Sequence, residues 1–319
     1  MIRLSAFADE ISADLDKQIA VLRSENIHFM DLRGVWDTNV LDLTDQQVTE
    51  IRQKLDADGI GVAAIASPIG KIPIDTPFDE HLQRFERAIA LAKFFQTPFI
   101  RIFSFYPPAT KEEASTQTQA TDTENDANVP TQLNTTTPHM HDASDANVTS
   151  GRKDLVDPAK WRDEVLRRLR ELIIRARNAN LILLHENEKD IYGDTIARCT
   201  DLLRSINEPH FQAILDPANF IQCQQTPYPD AYQELRPWLR YMHVKDALAD
   251  GTVVAAGEGM AQWPEILKHL RTDGYDGFFS LEPHLALAGK YQGFSGPDLF
   301  RHASQTFQRL LESMDWKFE

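Results

Sequence analysis

Short apolar runs alternate with helical stripes eight times along this chain, and that alternation constrains the fold more than any other feature. The runs predict strands over Arg3–Ala8, His28–Arg33, Gly61–Ser67, Pro98–Phe105, Asn180–Glu186, Phe211–Asp216, Leu239–Lys245 and Gly277–Glu282. Residues of helical period lie between them. Leu15, Ile19 and Leu22 share one face behind a cap expected at Ser12, and Thr44 with Gln47 forms a capping box ahead of Val48, Ile51 and Leu55. Phe78, Leu82, Phe85 and Ile89 make a third stripe, and Trp161, Val165, Leu169, Leu172 and Ala176 a fourth. Phe300, Ala303, Phe307 and Leu311 close the series. Eight repeats of this βα unit predict an α/β chain folded as a single (β/α)8 TIM barrel spanning 1–319. A doubly wound open sheet is the competing architecture, but it calls for a Gly-rich phosphate loop after an early strand, and none is present.

The last four predicted strands each end in, or just before, an acidic or imidazole side chain: Glu186, Asp216, His243 and Glu282, spaced by about thirty residues. In a barrel the C-terminal ends of parallel strands converge on one mouth, where such enzymes place their chemistry. Four distant segments then meet at one point. Three carboxylates and one imidazole form a hard, oxygen-rich ligand set that suits Mn²⁺ or Mg²⁺, with Co²⁺ and Zn²⁺ as alternatives. Four protein ligands on a six-coordinate ion leave two positions for the adjacent oxygens of a hydroxy-ketone. Chelation there polarises the carbonyl and favours an enediolate. Removal of the proton beside the carbonyl needs a base, and Glu186 and Glu282, on different strands, are the candidates for base and acid.

At these residues the chain resembles the xylose isomerase-like sugar phosphate isomerase/epimerase barrels, a family that includes ketose 3-epimerases, hydroxypyruvate isomerases and inosose dehydratases. Its Glu-Asn pair after the fifth strand is matched by Glu186-Asn187, and its Asp after the sixth by Asp216 of Leu-Asp-Pro-Ala-Asn-Phe. Its His-x-Lys-Asp is matched by His243-Val-Lys245-Asp246, and its final Glu by Glu282 of Ser-Leu-Glu-Pro-His. The resemblance implies a metal held by these four residues, with Glu186 and Glu282 also serving as acid and base. Two positions depart from it. Where the family's epimerases commonly carry substrate-facing histidines, this chain has Glu188 and Asn219. The metal reading survives that change, whereas the substrate is thrown open.

Further candidates for substrate binding are Lys245, Arg33 and Arg101 near strand ends, Lys71 in Ser67-Pro-Ile-Gly-Lys71, and Glu258 in Gly257-Glu258-Gly259. Lys245 could neutralise charge near the ion, or pair with Asp246 or Glu258. Trp263 is expected to pack its helix, and His185 and His284 to orient their neighbours.

The segment 109–154 has no aromatic residue and is rich in Thr, Asn, Asp, Gln and Ala, so it is expected to be a disordered acidic insertion after the fourth strand. It carries eight acidic residues against Lys111, Arg152 and Lys153, which is −5 of the chain's −15. A lid over the mouth is one role for it, and a tolerated loop the plainer one. His139 and His141 within it, and the sequons at Asn134 and Asn147, are expected to be incidental.

Net charge −15 argues against nucleic acid and anionic membranes as partners. That charge and the small histidine count, ten, also disfavour a DNA-repair endonuclease on the same barrel. A non-catalytic sugar-binding protein would not need mutually repelling carboxylates. Two cysteines, Cys199 and Cys223, do not make a disulfide framework. No run has the length of a membrane span and the first residues lack signal-peptide features, so the expected location is the cytoplasm. The expected function is a metal-dependent isomerase or epimerase of a small sugar, ketose or polyol-derived ketone, with a dehydratase as the nearest rival. A small carbohydrate is the expected partner, and a homo-oligomer would fit, though no residue marks an interface.

Overall fold

A computed structural model of the chain describes residues 1–108, 157–285 and 295–319. The expected disordered insertion, with His139, His141, Asn134 and Asn147, lies outside the described residues. Eight parallel strands close into a barrel: β1 Arg3–Ala6, β2 Phe29–Leu32, β3 Gly61–Ile65, β4 Phe99–Ile102, β5 Ile182–Glu186, β6 Phe211–Leu215, β7 Leu239–Val244 and β8 Phe278–Leu281. Each falls inside its predicted run. The β1–β8 pairing, with Ser5 opposite Ser280, completes the ring.

The main helices between and after the strands are α1 Leu15–Ser24, α2 Asp45–Ala57, α3 Phe78–Phe95, α4 Arg162–Asn178, α5 Ile196–Ile206, α6 Pro217–Gln222, α7 Trp263–Thr272 and α8 Gly296–Ser313. Thr44 and Gln47 form the expected capping box. The cap of α1 is Asp14 rather than Ser12: its carboxylate accepts from the Lys17 amide, while Ser12 Oγ accepts from the Asp14 amide. The helix starts at Leu15, so Ser12 sits two residues too early to reach its free amides.

Two apolar layers hold the barrel. Outward-facing Leu4, Ile100, Leu183, Leu215, Met242 and Phe279 are fully buried in the main core that the helices share. Inside, Phe29, Phe99, Tyr241 and Phe278 pack with Ala63, Leu184 and Ile214. Phe29 meets Phe278 edge to face, and Tyr241 stacks on Phe278. Phe29, Phe99 and Phe278 lie at strand starts, so they fill the N-terminal end of the barrel and leave its C-terminal end for polar groups.

Candidate metal centre

The four expected ligands converge. One donor atom each from Glu186, Asp216, His243 and Glu282 lies within 4.8 Å of the others, and all four side chains are buried. His243 Nδ1 stands 3.1 Å from a Glu186 oxygen, 3.3 Å from Glu282 and 3.7 Å from Asp216. Inward alternation along the strands produces this: Glu186 ends β5, Asp216 follows β6, His243 lies near the end of β7 and Glu282 follows β8.

Neighbouring residues aim each ligand. Asn187 clamps the fifth strand end to the sixth, donating to the Asp216 carbonyl and accepting from the Asp216 amide, both at 2.9 Å. Asp216 also caps α6, one oxygen accepting from the Asn219 amide at 2.9 Å. Asn219 Nδ2 in turn donates to Glu186 Oε1 at 3.3 Å. Phe7 meets the His243 ring edge-on at 5.1 Å, fixing its plane.

Three cations face these carboxylates. Arg101 donates to Glu186 at 3.1 Å, and Arg33 to Glu282 at 3.0 Å. Lys245 Nζ lies 3.0 Å from Asp216 and 3.2 Å from Glu282. Burial alone would push the carboxyl pKa values of Glu186 and Glu282 up. For Glu186 the charges of His243 and Arg101 outweigh it, and for Glu282 those of Lys245 and His284, so both stay ionised. Burial also disfavours a charged His243, but Glu186, with Asp216 and Glu282, raises its pKa well above the ordinary value. The Lys245 ammonium, penalised by burial, is likewise held charged by Asp216 and Glu282.

Most of the sequence candidates line one cavity at this mouth: Arg33, Lys71, Arg101, Glu188, Asn219, Lys245 and Glu282, with His284. Lys71 Nζ pairs with Glu188 at 3.4 Å and sits 4.5 Å above the Phe103 ring. Gly70 makes that placement possible. At φ 93°, it puts its Cα where any Cβ would come within 2.1 Å of the Phe103 carbonyl oxygen, and its amide donates to His81. Glu258 is the exception: it is exposed, contacts His302 on α8 and does not line the cavity. The loop turns it outward because Asp246 draws the amides of Gly257, Gly259 and Ala261 inward, and a Cβ on Gly259 would come within 2.4 Å of that carboxylate. Asp246 is therefore a loop anchor rather than the partner of Lys245. Trp263 is fully buried in the core, and its indole donates to the Lys245 carbonyl.

His284 Nε2 lies 3.1 Å from Glu282, as expected of an orienting residue. His185 does not reach the site. It packs against Phe211, and burial lowers its pKa to about 4.

Several participants escaped the sequence reading. Asp9 and Glu10 brace Arg33, and Ser295 donates to Glu10. Beneath the ligands, Asp31 accepts from Tyr241 at 2.7 Å and from Ser280 at 2.6 Å; burial raises its pKa against those bonds. Tyr241 and Ser280 stand two residues before His243 and Glu282, so strand alternation would have found them.

The site also fits a divalent ion on chemical grounds. Oxygens roughly 2.0–2.4 Å from an ion stand no more than about 4.8 Å apart, and these four donor atoms meet that limit. His243 Nδ1, buried, makes no hydrogen bond of regular geometry despite its three carboxylate neighbours, and it is aimed as a ligand nitrogen is. The sequence profile of the xylose isomerase-like TIM barrels matches residues 19–310. The chain belongs to that family. A 3-dehydroshikimate dehydratase from Bacillus anthracis is 26% identical over 152 residues, 42% of this chain and about half, 53%, of the relative. A magnesium-bound xylose isomerase-like barrel from Mycobacterium smegmatis superposes with a TM-score of 0.65 at 17% identity, covering 98% of this chain and 97% of that one. D-psicose 3-epimerase from Clostridium cellulolyticum H10, solved with D-tagatose, gives 0.66 at 12% identity, covering 98% and 99%. At such identities the superpositions speak for the fold alone. Among the described residues no helix of this family member is long and apolar enough to cross a membrane.

Proposed function

We propose that the protein is a divalent-metal-dependent isomerase or epimerase of a small sugar, ketose or polyol-derived ketone, working by proton transfer through an enediolate. One observation carries this reading: four buried ligand-type side chains, one from each of the last four strands, meet within 4.8 Å. Glu186, Asp216, His243 and Glu282 would hold the ion, with Mn²⁺ or Mg²⁺ favoured by the oxygen-rich set. When bound, the ion supplies Lewis-acid polarisation of the substrate's carbonyl and hydroxyl oxygens.

The chain's own residues do the rest. Glu186, held ionised by His243 and Arg101 and steadied by Asn219, accepts the proton from the carbon beside the carbonyl. Glu282 delivers a proton to the other face in an epimerisation, drawing on Lys245 or His284 beside it. Lys71 and Glu188 meet the substrate at the opposite rim.

A dehydratase is the second reading. Two proton donors, Lys245 and His284, flank Glu282, where a leaving hydroxyl could take a proton and depart as water. The partial likeness to a dehydratase points the same way. The test is proton NMR in heavy water on Mg²⁺-loaded protein with ketoses, inososes, hydroxypyruvate and 3-dehydroshikimate, beside a Glu186→Gln/Glu282→Gln control. Exchange at the carbon beside the carbonyl, absent from the control, supports the shared first step. Retention of product mass then marks isomerisation, and loss of one water marks dehydration. No exchange with any compound contradicts the reading.

A further inference from the structure

Below the ligand layer the barrel interior is packed with apolar groups, among them Phe29, Phe99, Leu184, Ile214 and Phe278. One polar cluster interrupts that packing. Ser5 on β1, Asp31 on β2, Tyr241 on β7 and Ser280 on β8 meet there, all four buried. The Tyr241 hydroxyl donates to Asp31 Oδ1 at 2.7 Å and the Ser280 hydroxyl to Oδ2 at 2.6 Å, so each carboxylate oxygen has its own donor. Ser5 Oγ lies 3.0 Å from the Tyr241 oxygen, and with the phenolic proton committed to Asp31 it is the donor of that pair.

A carboxylate is a costly filler for a barrel interior. Branched aliphatic side chains dominate such layers, and replacing buried charged clusters with well-packed apolar ones is often neutral or stabilising. Stability alone therefore does not account for the cluster. Two register shifts fall beside it: β2 slips against β3 between Met30 and Asp31, and β7 carries one extra residue, Arg240, against β6 just before Tyr241. Shifts of this kind re-aim a side chain and are over-represented next to active sites.

Both partners of Asp31 border His243. The Tyr241 ring meets the imidazole edge-on, with centroids 6.2 Å apart and planes at 84°. Ser280 is the residue paired with His243 across the β7–β8 ladder. Just beyond that pair the ladder loosens, and the Glu282 amide reaches the Val244 carbonyl only at 3.4 Å. One carboxylate thus fixes both the ring that packs on His243 and the strand beside it.

We infer that Asp31 is a positioning residue for the metal centre: by holding the Tyr241 ring and the Ser280 strand against His243, it sets the distance and plane at which the imidazole meets a divalent ion. It acts through Tyr241 and Ser280 rather than as a ligand. The inference rests on the metal centre proposed above and adds a determinant of its geometry.

The test uses the full-length protein and Mn²⁺, with Asp31→Asn, Tyr241→Phe and the double variant. Tyr241→Phe keeps the ring and removes only the hydroxyl, so it serves even if Asp31→Asn does not fold. Calorimetric titration reads Mn²⁺ affinity, and pulsed electron paramagnetic resonance reads the coupling to the imidazole nitrogen. Each single variant should weaken Mn²⁺ by about tenfold at unchanged stoichiometry and alter the nitrogen coupling. The double variant should be no weaker than Asp31→Asn alone, because both changes break the same link. Tyr275→Phe removes a hydroxyl that donates to the Phe278 carbonyl at 2.7 Å, away from His243, and should leave both readouts unchanged. Affinity within about twofold of the parent and an unchanged coupling in both single variants overturn the inference. Additive losses in the double variant, or an equal loss from Tyr275→Phe, overturn it as well. The parent protein separates the two levels: no Mn²⁺ uptake or no nitrogen coupling there sinks the metal centre and this inference with it, whereas a normal parent beside unaffected variants sinks only the role of Asp31.

Discussion

The two halves of the barrel mouth differ in kind. Strands β5 to β8 deliver Glu186, Asp216, His243 and Glu282, every one a ligand type, while the ends of β1 to β4 deliver Phe7, Arg33, Ser67 and Arg101, none of which is a cation ligand. Eight similar βα units therefore build an asymmetric site. The first half compensates the second: three carboxylates packed within a few ångströms repel one another, and Arg33 and Arg101 reach across the mouth to offset that repulsion. Phe7 supports the exchange from below, its ring lying 4.9 Å from the Arg33 guanidinium, 5.0 Å from that of Arg101 and edge-on to His243.

If the halves are so divided, the largest effect comes from the ligand side. Asp216→Ala or His243→Ala should abolish tight divalent binding, a loss beyond the roughly 10–100-fold that supporting residues control. Elemental analysis after dialysis checks it, and unchanged metal content in both variants would break the comparison. Next comes the compensating side. Arg101→Met removes the guanidinium that offsets the Glu186 charge and leaves that buried carboxylate only Asn219 and His243, so metal-free protein should lose on the order of 3 kcal/mol in urea unfolding. Added Mn²⁺ should recover part of that loss. Equal losses with and without metal would mean that Arg101 does not serve the ligand charge. Asn219→Ala, which frees Glu186 and removes an orienting bond, should weaken Mn²⁺ by about 10–100-fold without changing the stoichiometry.

A smaller effect isolates the loop that carries Lys71. His81, buried and accepting from Gly70, has its pKa lowered from 6.5 to about 4, chiefly by burial. The unfolded chain therefore takes up its proton before the folded one does. Stability from this group is intact above about pH 6.5 and is lost as pH falls towards 4, with a slope of at most about 1.4 kcal/mol per pH unit. His81→Gln should flatten that part of a pH-resolved urea series. The smallest effect is expected at Glu258, outside the cavity and bonded to His302: Glu258→Gln should leave Mn²⁺ affinity unchanged and stability within about 0.5 kcal/mol.

Much of this was legible in the chain because strand alternation and βα spacing are local signals. They marked all eight strands and the four side chains that converge at the mouth. Bracing contacts were harder to read, because Asp9 and Glu10 follow β1 and show their role only when β2 pairs with β1 and brings Arg33 beside them. Asp31 stands inside an apolar strand with nothing local to mark its partners; only closure sets Tyr241 and Ser280 against it. Glu258 falls outside the cavity lining because a Gly-Glu-Gly sequence does not say which way its side chain turns, and Asp246 decides that through the backbone.

The most direct test of the metal centre is pulsed electron paramagnetic resonance of the protein loaded with one equivalent of Mn²⁺. The account predicts modulation from a single coordinated imidazole nitrogen, lost in His243→Gln. No nitrogen coupling, or coupling that persists in that variant, would contradict it.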